Sequence, residues 1–120
     1  MKESILKKIP HQEVSTDVET IDLYRLGVFE GVMYELVELQ AGQEYPPHKH
    51  ENSEAKLHMI LGDGLIILNG KEQKYTVGDI FKVEKGMSHG FKVASPTLFL
   101  SIQKPAIIDP ETGRVDVEYV

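Results

Sequence analysis

The chain has 120 residues, a formal charge of −6 and no cysteine. That length suits one domain whose core holds without cross-links, and the missing thiols exclude disulfides, iron–sulfur clusters, thiolate metal sites and cysteine nucleophiles. Acidic and basic residues are interleaved, so no basic stripe marks a nucleic-acid footprint, and no apolar run reaches the length of a membrane span.

Residues 1–15 read as an N-terminal arm. The opening MKESILKKIP has positive charge but no apolar stretch, so it is not a signal peptide, and a cytoplasmic protein is expected. Lys7, Lys8 and Pro10 allow a short helical turn or an extended arm, not a long helix. Strand-like runs follow. TIDLYRL (20–26) alternates, and VMYELVEL (32–39) is rich in β-formers. LHMILGDGLIIL (57–68) bends at Gly62 and Gly64, and Asn69-Gly70 is the strongest hairpin signal in the chain. QKYTV and DIFKV flank a turn at Gly78-Asp79. GFKVASPTLFLSI gives two more strands around Ser95-Pro96. The tail, 105–120, turns at Asp109–Gly113 and is placed either back on the sheet or on a partner subunit. Turns recur roughly every 8 to 12 residues and no segment keeps a 3.6-residue apolar period. The expectation is one all-β domain over 1–120, a sandwich or barrel.

The chain has five histidines: His11, His48, His50, His58 and His89. Residues two apart on a strand face the same way, so His48 and His50 can point together into one interior. Two imidazoles on one face form a chelating pair, and the alternative is two surface histidines at a strand end. His89 follows a strand and the turn at Gly86, where a returning hairpin would bring it beside that pair.

GQEYPPHKH and the run to Gly62 resemble the first conserved motif of the cupin superfamily, with Gly42, His48, His50 and Gly62 at matching positions (motif one, 42–62). GDIFKVEKGMSH resembles the second, matching at Gly78, Gly86 and His89 (motif two, 78–93). Glu84 stands where the family has proline, and Val93 where it has asparagine. The resemblance implies a jelly-roll-like double-stranded β-barrel of two antiparallel sheets, with one divalent metal held by His48, His50 and His89.

The family's carboxylate ligand departs from the pattern. Counting three residues on from His50 leads to Glu54, while counting six back from Gly62 leads to Ala55. Strand parity separates Ala55, Leu57, Met59 and Leu61 from Lys56, His58 and Ile60, and an interior favours the first set because a buried unpaired lysine is costly. That places Ala55 inward and Glu54 outward and favours a three-histidine site. A bulge over 52–54 would turn Glu54 inward as a fourth ligand. Parity sends His58 outward, and His11, with no partner at ligand spacing, reads as structural or exposed.

Tyr34, Tyr45, Met59, Phe81, Phe91 and Phe99 are candidates for a pocket lining or for ordinary core. Ser101 and Gln103 share a strand face with Phe99. If that face is inward they orient a ligand, and otherwise Leu98, Leu100 and Ile102 fill the core.

Known cupins include dioxygenases, decarboxylases and isomerases as well as non-catalytic binding proteins, and the fold does not choose among them. Some cupin dioxygenases are of the three-histidine kind. Such a centre leaves positions open for water, O2 or a bidentate substrate. The expected function is therefore a mononuclear metal-dependent enzyme of dioxygenase type acting on a small organic acid or other chelating substrate. The alternative is a non-catalytic binding or sensing cupin whose metal is structural or ligand-holding, and a metal-independent cupin is the third reading. Fe, Mn, Ni, Zn and Cu all accept imidazole, so the cofactor is one divalent transition metal of unspecified identity. The expected partners are a small molecule and a second copy in a homodimer, with no nucleic acid or membrane.

Overall fold

In the computed structural model, residues 11–15, 20–107 and 116–119 are described. Every regular element among them is a β-strand. In chain order these are β1 (His11–Ser15), β2 (Thr20–Phe29), β3 (Val32–Leu39), β4 (Glu44–Lys49), β5 (Glu54–Leu61), β6 (Gly64–Leu68), β7 (Lys71–Tyr75), β8 (Ile80–Val83), β9 (His89–Val93), β10 (Thr97–Lys104) and β11 (Glu118–Tyr119). They form two antiparallel sheets, ordered β1-β2-β3-β10-β5-β8 and β11-β4-β9-β6-β7. This is the all-β jelly roll expected of the sequence. No helix among the described residues is long and apolar enough to cross a membrane.

Turn chemistry sets the strand ends. Asn69 and Gly70 both take positive φ, as a two-residue hairpin needs, and Leu68 pairs with Lys71 across them. Glu30 and Gly31 do the same between Phe29 and Val32. Alternation then chooses the faces. Along β5, Ala55, Leu57 and Met59 are buried and Glu54 and Lys56 are exposed. The alternation stops one residue short of the expectation. Leu61, placed inward by parity, is exposed, because the pairing with β10 shifts register between Leu98 and Phe99 just before the turn at Gly62.

Between the sheets lies a core that includes Ile21, Val37, Leu57, Ile66, Phe91 and Phe99. Phe91 stacks on Phe99 with ring centroids 4.8 Å apart, and Tyr75 meets Phe91 edge-on at 5.6 Å. Phe91 and Phe99 also line a cavity between the sheets. Met59 and Phe81 belong to this core, whereas Tyr34 lies half-buried against Phe29. Leu98, Leu100 and Ile102 are also half-buried, and Phe99, Ser101 and Gln103 take the inward face of β10. The turn expected at Asp109–Gly113, residues 1–10 and the side chain of His11 lie outside the described residues.

Candidate metal centre

His48 on β4 and His89 on β9 are direct partners in the antiparallel register, and His50 follows β4 by one residue. The pairing runs Tyr45↔Phe91 and then His48↔His89, so β4 spends one more residue than β9 over that interval. Pro46 and Pro47 occupy this bulge, which lets Tyr45 and His48, three residues apart, both face the interior. Gly90 makes room for it. A Cβ there would come within 2.7 Å of the Tyr45 carbonyl oxygen and 2.9 Å of the Pro47 nitrogen.

The three imidazoles converge. Ring centroids lie 4.1 Å apart for His48 and His89, 5.1 Å for His50 and His89, and 5.4 Å for His48 and His50. One ring nitrogen from each falls within 4.8 Å of the other two. Each Nδ1 faces a backbone carbonyl: His48 that of Pro46 at 3.0 Å, His50 that of Asp116 at 2.6 Å and His89 that of Met87 at 3.4 Å. A carbonyl only accepts, so each Nδ1 carries the proton and each Nε2 the lone pair. Tyr45 stacks on His48 at 4.4 Å and steadies its plane.

All three rings are buried. Burial pushes the His48 pKa down to about 4, against the pull of the Pro46 carbonyl and with a smaller push from His50. Burial, then the neighbouring His48 and His50, push His89 down to about 2. These two rings are neutral at pH 7, the form that binds a metal. The donor set thus fits a divalent transition ion: three convergent, buried nitrogens with fixed tautomers. Glu54 is exposed, pairs with Lys104 at the start of β5 and is not among the convergent groups, and Ala55 holds the inward slot. His58 is half-buried on the outer side of β5, between Leu100 and Ile80 in the register.

The histidines open on a cavity of about 270 Å³ between the two sheets. Tyr45, Phe91 and Phe99 line it, as do Ser101 and Gln103. Two contributors carry little signal in the sequence. Glu35 is a buried carboxylate on β3 that accepts from Gln103 Nε2 at 2.9 Å and faces Arg25 Nε at 3.3 Å. Asp116 secures the tail. Its carboxylate oxygens accept the backbone N–H groups of Glu51 and Asn52 at 3.0 and 2.8 Å, and Val117 beside it walls the cavity.

The model of the cupin domain family matches residues 35–103. Among solved structures, KdgF from Halomonas sp. superposes with a TM-score of 0.73 at 22% identity, over 84% of this chain and 92% of that one. A predicted oxalate decarboxylase from Thermotoga maritima gives a TM-score of 0.73 at 21% identity, over 83% and 96%. A salicylate 1,2-dioxygenase from Pseudaminobacter salicylatoxidans gives 0.67 at 18% identity, over 70% of this chain and 26% of that one. At these identities the likeness is one of fold. A search by sequence among curated proteins gives no match.

Proposed function

The chain belongs to the cupin-domain family, and on that premise we propose that it is a mononuclear metal enzyme of dioxygenase type acting on a small chelating acid. His48, His50 and His89 would hold the ion. Bound there, a divalent transition metal supplies Lewis acidity and open positions for substrate and O2. The carrying observation is the three-nitrogen donor set, which no carboxylate joins among the described residues. Oxygenation also fits the rest of the cavity. Glu35, the carboxylate in its lining, has one oxygen on Gln103 and the other on Arg25, so it is poorly placed to shuttle protons for an isomerase or a decarboxylase. The protein's own groups shape the site: Tyr45, Phe91 and Phe99 exclude water, and the carbonyls of Pro46, Met87 and Asp116 hold the rings.

A Glu35 held by Gln103 and Arg25 also suits a second reading, a non-catalytic module that binds its ligand through the metal. Oxygen-electrode measurements on iron(II)-loaded protein, against a panel of chelating acids and diketones, separate the two. The enzyme reading expects substrate-dependent O2 uptake that His48→Ala abolishes. Tight ligand binding without uptake selects the binding module, and protein that takes up no stoichiometric metal rules out both.

A further inference from the structure

The outer face of the six-stranded sheet carries a pattern that neither the core nor the metal centre explains. Leu36, Leu100, His58 and Ile80 form an outward row across β3, β10, β5 and β8 in the register. On one side of this row lie Glu38 on β3, paired with Leu98, and Ile60 on β5. On the other side lie Tyr34 on β3, Ile102 on β10, Lys56 on β5 and Lys82 on β8, again in register. The corners of the face therefore alternate in kind. Ile60 and Ile80, 45% and 59% exposed, form an apolar corner. Diagonally across Leu100, Phe29 is 61% exposed and its ring packs on Tyr34. Glu38, beside Asp22 in the register, marks an acidic corner, and Lys56 and Lys82 mark a basic corner diagonally opposite. The two lysines are direct cross-strand partners, a like-charge arrangement that weakens a sheet. Neither they nor Glu38 make an ion pair among the described residues. Between the corners lie Leu36, Leu98, Leu100 and Ile102, all half-buried. A contiguous apolar face with a charged rim is the mark of a protein contact.

We propose that this face joins two copies of the chain in an isologous dimer, in which Glu38 of each copy meets the Lys56 and Lys82 pair of the other. When two identical faces pack together, the two-fold axis lies in the plane between them. Each residue then meets the position reflected across that axis. An axis along the apolar diagonal, from Ile60 and Ile80 to Phe29, sets each apolar corner against itself. The same axis brings the acidic corner onto the basic one, so a single operation satisfies both patterns. A foreign partner would not require the face to carry its own complement, and this singles out a second copy as the occupant. Because the axis runs obliquely to the strands, the two sheets cross at a large angle, as orthogonally packed sheets do. The contact lies on the far side of the sheet from the cavity, so it stands whether or not the chain is an enzyme.

Sedimentation velocity on the full chain over a range of concentrations reads the association directly. The unmodified chain should dimerise with a dissociation constant in the micromolar range or tighter. Glu38→Lys and Lys56→Glu should each weaken the dimer at least about tenfold, because each sets like charges face to face at two symmetry-related contacts. An equimolar mixture of the two variants should dimerise to within about threefold of the unmodified chain, since each copy then meets the charge opposite to its own. The double variant Glu38→Lys/Lys56→Glu should recover in the same way. Ile80→Asp should also cost at least about tenfold by placing a carboxylate in the apolar corner, and it serves if a charge variant does not fold. A monomer at the highest concentration overturns the proposal, whatever else binds the face. So does a dimer that survives both Glu38→Lys and Ile80→Asp, or a mixture and a double variant that associate no better than the single variants.

Discussion

Asp116 orients His50 across 66 residues of chain: its carbonyl accepts a 2.6 Å hydrogen bond from His50 Nδ1. Its carboxylate caps the N–H groups of Glu51 and Asn52, and its own N–H donates to the Ile107 carbonyl at 2.7 Å. Beyond it, Glu118 and Tyr119 pair with Lys49 and His48. Residues 116–119 thus lie back on β4, which carries His48 and leads into His50. Removing the carboxylate should loosen the carbonyl that sets the His50 tautomer. Asp116→Ala is expected to weaken zinc binding about 10- to 100-fold, the usual range for lost outer-shell support. Asp116→Asn keeps one acceptor oxygen and should lie between. Competition against a chromophoric chelator measures this, and an Asp116→Ala affinity within twofold of the unmodified protein would sink the idea.

The position of Glu54 makes a second prediction. It is exposed, while Ala55 faces inward beside Gln103 and Val83 in the register. Glu54→Gln should leave metal affinity within about twofold, whereas replacing His48, His50 or His89 by alanine removes one of three donors and should cost at least about a hundredfold. A large loss on Glu54→Gln would mean that the carboxylate reaches the ion after all, through a rearranged loop.

Inward and outward faces were readable where the two faces differ in kind. On β5 one face would have buried Lys56, so parity alone places Ala55 inside and Glu54 outside. The HxH pair, Gly62, Gly86 and Asn69-Gly70 were equally legible, because each marks a turn or a spacing that local geometry requires. On β3 the faces do not differ: Met33, Glu35, Val37 and Leu39 oppose Val32, Tyr34, Leu36 and Glu38, one glutamate on each side. Nothing in that segment says that Glu35 goes inside. On β10 hydropathy points the wrong way, since Leu98, Leu100 and Ile102 face outward while Ser101 and Gln103 face inward. The interior there is a polar site rather than plain core. Asp116 was illegible for another reason: the partners of its carbonyl and carboxylate lie more than sixty residues away and include two backbone N–H groups, which carry no sequence signal.

Acid should destabilise the metal-free protein through its histidines. The folded pKa values of His48 and His89, about 4 and about 2, lie below the ordinary value of 6.5. Below pH 6.5 the unfolded chain therefore takes up protons that the folded chain refuses, and stability falls as pH drops. The His48 contribution is fully present above pH 6.5 and is lost down to about pH 4, and the His89 loss continues toward pH 2. For His48 alone the loss is at most about 3 kcal/mol. Urea unfolding at a series of pH values should show a shallower slope between pH 6.5 and 4 for His48→Leu than for the unmodified chain. Parallel curves would show that burial of this ring does not govern the acid limb.

Gly90 offers a test of the backbone that places the histidines. Its missing side chain is what allows β4 to bulge over β9 at Pro46 and Pro47. The atoms a Cβ would strike are backbone atoms of Tyr45 and Pro47, which cannot swing aside as a flexible side chain can. Relief must come from β4 moving away from β9. That motion separates His48 from His89, whose ring centroids now lie 4.1 Å apart, and carries Tyr45 off the His48 ring. Gly90→Ala is therefore expected to lower metal affinity at least about tenfold and to destabilise the fold by about 1–3 kcal/mol, as overpacking does. Chelator competition and urea unfolding read the two effects separately. A variant that is destabilised yet binds metal normally would show that the bulge serves packing alone, and that the three nitrogens keep their convergence without it.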